Sequence, residues 1–429
     1  MNKAIEIMRK ALKGLLVATI ILLAIEGLLW CFFMLSGKDL RIDPLPAHPE
    51  YQVVCPLGNM GKLCPDQGPD YERVHPEVFF SQPTKPRIIV IGESFVYGLG
   101  IKPEEAWPKR IAAHLSTDVE VLNFGRCGTY ASRLIPIVEA AIDLQPTAII
   151  IATGNNEHTM TSFFTGPLGR RPLLSYKISK FLGGFQGYGL LFRLLVGGEG
   201  KAQESFERND IKLDNDIDKQ VYAARRRPPN LEMFPNLVAG KEVTRILEEE
   251  QRLKELIFAE HLRYMVEQIQ QNDIKVYLAT LPQMPFSPPT LSGIHADNED
   301  EILELLSQLQ PDDYSREVLS TALQQDDKVA FFHYRVTQNL LQQNKLEEAL
   351  VSEQKVDSWD LAPDATPEIN QIIREVANNY KVPLIDLQDK SNAFALRPGD
   401  FYLDSVHVNE KGADQIGKWV AEELQTIFE

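Results

Sequence analysis

Residues Arg87 to Gly98 read "RIIVIGESFVYG". Ile88, Ile89, Val90 and Ile91 form a short β-branched run bounded by a glycine, the pattern of a strand covered on both faces. The run ends on Gly92-Glu93-Ser94, with an aromatic residue and Gly98 close behind. A hydroxyl at the end of a buried strand marks either an ordinary strand–turn–helix corner or one shaped to expose a serine. The remainder of the chain decides between them.

Downstream the period alternates. A helix is expected over Pro103–Leu115, a strand over "VEVLNFG", a helix over Ser132–Leu144 and a strand over "TAIIIATG". After an interruption come a long helix from about Glu242 to Asn272 and the strand "KVYLATLP". After a second interruption come a helix over Pro367–Tyr380, the strand "VPLIDL" and a helix over Asn409–Ile427. Strands that are continuous apolar runs, alternating with helices, predict an α/β domain over 87–429 with a doubly wound parallel sheet. The interruptions are insertions at about 160–240 and 284–365. The first, with clusters such as "FLGGFQGYGLLF", reads as a lid or substrate-side element. The second is acidic and helical. Within it, Tyr334, Leu341, Asn344, Glu348, Ala349 and Asp360 are spaced in a way that resembles one tetratricopeptide repeat. A lone unit cannot build a solenoid, so a helical hairpin packed on the domain is expected.

The N-terminus differs from the rest. From Gly14 to Leu35, 22 residues carry one charge, Glu26. As a helix this spans roughly 33 Å, enough to cross a bilayer core. Lys3, Arg9, Lys10 and Lys13 precede it, whereas acidic residues accompany the basic ones after it. The positive-inside rule then predicts a cytoplasmic tail (1–13), a transmembrane helix (14–35), a stalk and lead-in (36–86) and an extracytoplasmic domain, periplasmic in a Gram-negative cell. An apolar stretch this long, without a small-residue cleavage site, reads as a signal anchor rather than a cleaved leader. Glu26 inside the span calls for a polar neighbour; a membrane-protein partner touching Glu26 or the insertions is one expectation, and a position nearer the interface is the other. The net charge of −16 argues against nucleic acid as a partner. Cys55 and Cys64 bracket a glycine-containing loop compatible with either a disulfide or two free thiols. No metal or cofactor is expected, since no Cys/His set stands at ligand spacing.

Four short segments fall at the carboxyl ends of the expected strands, where open α/β sheets place their sites. They are Gly92-Glu93-Ser94, Asn123–Gly128, Gly154-Asn155-Asn156-Glu157 and Asp404-Ser405-Val406-His407. Together they supply the parts of acyl-transfer chemistry. Ser94 is a hydroxyl that becomes nucleophilic when a base takes its proton. His407 is that base, and Asp404 fixes its tautomer. The Ser94 and Gly128 backbone N–H groups and the Asn156 amide are candidate oxyanion donors, with Asn155 as the alternative to Asn156.

On these blocks the chain resembles the SGNH (GDSL-type) hydrolase superfamily, serine esterases and acyltransferases with a flavodoxin-like fold. The resemblance covers roughly 87–159, the 241–282 helix and strand, and 366–429. It implies Ser94 as nucleophile, Gly128 and Asn156 in the oxyanion hole, and Asp404 with His407 completing the triad. Glu93 replaces the usual Asp before the serine, and the third block has Glu157 where Asp is usual. The leading expectation is a membrane-anchored, extracytoplasmic esterase acting on an acylated glycan, lipid or small ester. The alternatives are an acyltransferase subunit working with a membrane O-acyltransferase on an envelope polymer, and a scaffold subunit with a vestigial site. His158 reads as a turn residue or a pocket lining, Cys127 as a small buried thiol, and Trp107 and Trp419 as helix–sheet packing.

Overall fold

The structure is a computed structural model. It describes residues 13, 20–21, 24–32, 35, 83–157, 172–187, 190, 237–238, 240–289, 291–296, 298–308, 316–361, 367–394 and 400–428. These belong to two compact units, one formed by 1–46 with 162–212 and the other by 47–161 with 213–429.

The larger unit is built on a five-stranded parallel sheet. Its strands are β1 (Arg87–Gly92), β2 (Glu120–Gly125), β3 (Ala148–Ala152), β5 (Lys275–Ala279) and β7 (Leu384–Ile385), in the order β2-β1-β3-β5-β7. Counted within this sheet alone the order is 2-1-3-4-5, the flavodoxin-like doubly wound arrangement whose switch point lies between the first and third strands. The helices are α1 (Ser94–Tyr97), α2 (Trp107–His114), α3 (Ala131–Asp143), α5 (Lys241–Gln270), α10 (Pro367–Tyr380), α11 (Leu387–Phe394) and α12 (Glu410–Phe428). Helix α2 packs with α12, and α5 packs with both α3 and α10. Right-handed crossovers put these two groups on opposite faces of the sheet. Ile88 to Ile91 and Ala148 to Ile150 are fully buried, which is why the strands carry unbroken apolar runs.

Local chemistry shifts several expected boundaries. The helix expected over 103–115 splits into a 3-10 turn, Pro103–Glu105, and α2. Pro108 has no N–H to give to the preceding turn, so the helix starts beside it instead of running through it. The last strand keeps only Leu384–Ile385 of "VPLIDL", because Leu387 already opens α11.

The second insertion holds α6 (Glu299–Gln308), α7 (Arg316–Gln325), α8 (Ala330–Gln342) and α9 (Leu346–Trp359). Helices α8 and α9 form the expected hairpin, turned at Asn344 with φ 58°. Ile294, Ile302, Leu319, Ala322, Val329 and Phe332 give α6, α7 and the start of α8 a core of their own. A short parallel pair, β4 (Leu237–Val238) with β6 (Ser292–Gly293), joins the chain before α5 to this insertion.

In the smaller unit, the described residues between 20 and 35 are helical, and α4 spans Pro172–Gly183. Glu26 accepts hydrogen bonds from the backbone N–H groups of Gln186 and of Gly187, the latter at 2.8 Å. A Cβ at Gly187 would stand 3.0 Å from the Glu26 carboxylate, so glycine lets the chain approach it. Both donors to Glu26 come from the first insertion of the same chain. Among the described residues no helix is long and apolar enough to cross a membrane. Parts of the expected 14–35 span, nearly all of the 36–86 segment with Cys55 and Cys64, and His158 lie outside the described residues.

Two glycines set how closely the strand ends approach. A Cβ on Gly92 would stand 2.1 Å from the Ala152 carbonyl oxygen, and one on Gly125 would stand 2.1 Å from the Tyr97 nitrogen. Gly92 is required for space, since positive φ occurs elsewhere, at Gly98, Gly128 and Gly154 among others. Gly92→Ala is therefore expected to cost about 3 kcal/mol in urea unfolding, the upper end of overpacking losses. Gly128→Ala has open space around its Cβ and only its φ of 62° against it; about 1 kcal/mol is expected there. Equal costs at the two sites would contradict this account.

Candidate active site

Ser94 opens α1 directly after β1 and is 7% exposed. The four-residue helix closes at Gly98, which takes φ 86° and donates its N–H to the Ser94 carbonyl at 3.0 Å. Neighbours hold this turn. The Trp107 indole N–H donates to the Phe95 carbonyl at 3.0 Å, and the Asn123 amide donates to the Val96 carbonyl at 2.9 Å. Asn123 thus reaches from the end of β2 to the turn that carries Ser94.

The C-terminal segment folds into a tight loop. Tyr402 and Val408 form an antiparallel bridge, and Leu403 N–H donates to the His407 carbonyl at 2.7 Å. Within the loop, the Asp404 carboxylate accepts the backbone N–H groups of Val406 at 3.0 Å and His407 at 2.8 Å. It also meets His407 Nδ1 at 2.8 Å. On the other side of the ring, His407 Nε2 lies 2.8 Å from Ser94 Oγ. The hydroxyl, 313 residues before the imidazole in sequence, joins the imidazole and the carboxylate in one continuous hydrogen-bonded line. Asn409 ends the loop and caps α12, its side-chain oxygen accepting the Gly412 N–H at 3.0 Å. Partial burial pushes the Asp404 carboxyl up, but the hydrogen bonds from His407 and Val406 outweigh it and hold it at about 2. The carboxylate is thus charged at neutral pH.

The third block is organised by Glu93, which is 1% exposed. Its carboxylate accepts the Thr153 hydroxyl at 2.5 Å, the Gly154 N–H at 2.7 Å, and both the backbone N–H and the side-chain amide of Asn156 at 3.0 Å. In the sequence Glu93 reads only as a conservative replacement of the usual Asp, and this role is not visible there. The available signal was a lone carboxylate wedged between a fully apolar strand and a buried turn, which has to find donors. Asn156, the expected oxyanion donor, commits one amide proton to Glu93, and its NH₂ group carries a second. Asn155 is buried beside it. Gly128 sits in an exposed turn with φ 62°, and Cys127, expected to be buried, is exposed with it. The turn places both residues beyond the end of β2, outside the helix–sheet core. Glu157 accepts the Ala131 N–H at the start of α3 at 2.8 Å. Among the described residues no group of His, Cys, Asp or Glu could hold a metal ion.

Burial raises two of these carboxyls above their ordinary 4.5: Glu93 to about 7, and Glu157 to about 8 with help from the Glu93 charge. A carboxyl raised in the folded state keeps a proton that the unfolded chain releases. Its contribution to stability is whole below the unfolded value and is lost as the pH climbs through the folded one. Stability against urea is expected to decline between about pH 5 and 8, and Glu157→Gln is expected to flatten that decline by about 1–2 kcal/mol. An unchanged slope would count against a buried, protonated Glu157.

No family model matches the chain, and no curated protein matches it in sequence. Among solved structures, the chain is similar to a lipase/acylhydrolase from Enterococcus faecalis, with 13% identity over 80% of this chain and 96% of that one at a TM-score of 0.34. It is also similar to a GDSL-like lipase from Bacteroides thetaiotaomicron, with 13% identity over 81% and 92% at a TM-score of 0.34. A third similar structure is a member of the lipolytic G-D-S-L family from Veillonella parvula, with 10% identity over 79% and 98% at a TM-score of 0.34.

Proposed function

We propose that this chain is a serine ester hydrolase of the SGNH (GDSL) type, held at a membrane by residues 14–35 with its larger unit on the extracytoplasmic side. The observation that carries the chemistry is the 2.8 Å approach of His407 Nε2 to Ser94 Oγ, with Asp404 on the opposite ring nitrogen. His407 takes the hydroxyl proton as Ser94 attacks the ester carbonyl. Asp404 holds the tautomer and stabilises the imidazolium. The tetrahedral oxyanion is met by the Ser94 and Gly128 N–H groups and the second amide proton of Asn156, which Glu93 orients. His407 returns the proton to the leaving alcohol, and water then releases the acyl group by the same steps in reverse.

The substrate is an ester of an acylated glycan, a lipid or a small alcohol. The membrane reading draws support from exposed apolar side chains on the described N-terminal helical residues, Ile20, Ile21, Ile25, Leu28, Trp30 and Phe32 among them. Helix α4 adds Leu174, Ile178 and Phe181, which recur at helical spacing and are also exposed. The α8–α9 hairpin is one repeat-like unit built into the domain.

A fluorophosphonate probe is expected to label the full-length protein in detergent, and Ser94→Ala is expected to abolish labelling. With p-nitrophenyl acetate, Asp404→Asn should lower kcat roughly ten-thousand-fold, because the amide favours the wrong tautomer. Labelling of Ser94→Ala at the wild-type level would overturn the assignment, and labelling without turnover would move the reading to acyl transfer. For the anchor, alkaline carbonate is expected to leave the full chain in the membrane pellet. Its release to the supernatant would remove the membrane part of the proposal.

A further inference from the structure

The smaller unit joins two segments distant in the chain, 1–46 and 162–212. They meet at Glu26, whose carboxylate accepts the backbone N–H groups of Gln186 and Gly187, the latter at 2.8 Å. One turn further along the same helix, Leu29 Cδ1 would stand 3.4 Å from a Cβ at Gly187. Glu26 and Leu29 thus put one face of the N-terminal helix against the end of the 172–187 segment. Other apolar side chains of that helix point away from this contact and are exposed, Ile21, Ile25, Phe32 and, at 72%, Leu28. A helix that shows apolar side chains to its surroundings and turns a carboxylate toward backbone amides has the surface of a helix in lipid with one protein neighbour.

The depth of that neighbour follows from helix geometry. With 14–35 across the bilayer, the rise from Glu26 to Leu35 at the outer end is about 14 Å, close to the middle of the hydrocarbon. The Gln186 and Gly187 amides bonded to Glu26 stand at the same level. Polar backbone at that depth has to find its partners inside the protein, which is what Glu26 supplies. Helix α4, just before these amides, has 12 residues, about 18 Å of helix, enough to reach them from the outer interface. Its Leu174, Ile178 and Phe181 share one face and are exposed, Phe181 at 69%. Lys180 turns its charge back along α4: Nζ lies 5.8 Å from the centre of the Tyr176 ring, one turn nearer Pro172. A helix entering by Pro172 would carry that ammonium toward the outer interface, as a snorkelling lysine does.

We infer that the first insertion is a re-entrant membrane element. Helix α4 descends from the outer interface beside the 14–35 helix, the chain turns between Gly183 and Gly187 where Glu26 answers its amides, and Leu174, Ile178 and Phe181 face the acyl chains of the bilayer. Lipid, rather than a second copy of the chain, is the occupant because α4 is bonded to the anchor itself, so whatever surrounds the anchor at the level of Glu26 also meets α4. Glu26 then joins two membrane pieces of one chain. The inference rests on the anchor reading of 14–35 and is independent of the esterase chemistry.

The test places the photoreactive residue p-benzoylphenylalanine in the full-length protein at Leu28, Ile178, Phe181 or Leu303. Each variant is reconstituted in phosphatidylcholine vesicles, irradiated, and read by mass for covalent lipid adducts. Leu28 reports the anchor, and Leu303, exposed on α6 of the larger unit, reports background. Lipid adducts are expected at 28, 178 and 181, about ten-fold or more above those at 303. Glu26→Leu is expected to lower the adduct at 181 several-fold and to leave that at 28 unchanged, because the Gln186 and Gly187 amides would lose their acceptor in hydrocarbon. Glu26→Gln keeps a carbonyl oxygen that accepts and should retain the adduct at 181. Adducts at 28 with none at 178 and 181 overturn the inference and leave the anchor standing. A crosslink from 181 to a second copy of the chain, lipid adducts at 303 equal to those at 181, or an unchanged adduct at 181 in Glu26→Leu also overturns it. If 28 gives no lipid adduct, the anchor reading falls and takes the inference with it.

Discussion

Much of this domain depends on three parallel strand ends meeting with almost nothing between them. Gly92 sits in register with Gly125 on one side and Ala152 on the other. Hydrogen at Gly92 and Gly125 is what lets the turn after β1 lie against both neighbours. Into that contact the chain puts one carboxylate. Glu93 gathers donors from Thr153, Gly154 and Asn156, and so ties the β1 corner to the β3 corner at the switch point of the sheet. Four donors on one buried group make a rigid junction, because each would otherwise lose its partner away from water.

The junction fixes Ser94 and leaves the imidazole of His407 to be brought in from elsewhere. The bridge between Tyr402 and Val408 pinches the C-terminal loop, and Asp404 bonds to the backbone of the same loop and to the ring of His407. The acid therefore positions the imidazole before any contact with Ser94 is made. Asn409, capping α12, anchors the loop to a helix that packs on α2, whose Trp107 in turn holds the Ser94 turn. Each side of the Ser94–His407 contact is thus braced by the same pair of helices.

The second insertion serves the same end of the molecule. Helices α6, α7 and α8 share a small core, and α9 contributes Glu353 and Asp357 to the lining of a cleft that Leu403, Asp404 and Ser405 also line. The hairpin expected to pack on the domain thus supplies, through α9, part of the wall of a cleft next to the Asp404 loop.

Strand identity, helix order and the four motif segments were legible in the sequence, because a parallel sheet covered on both faces demands continuous apolar runs and because Gly-Glu-Ser and Asp-x-x-His stood at their ends. Ser94, Asp404 and His407 could be singled out as candidates from residue type, position and the family resemblance, and the fold brings their side chains into hydrogen-bond contact. The work of Glu93 could not be singled out in this way. A carboxylate's role is set by which donors surround it, and those lie about sixty residues away on another strand. The same holds for Asn156, whose amide is shared with Glu93, for Cys127, which the turn exposes, and for Glu26, whose hydrogen bonds come from Gln186 and Gly187. Local pattern determined the elements and the candidate chemistry of each strand end. Tertiary structure decided which polar groups answer one another, since burial and distance are properties of the assembled fold.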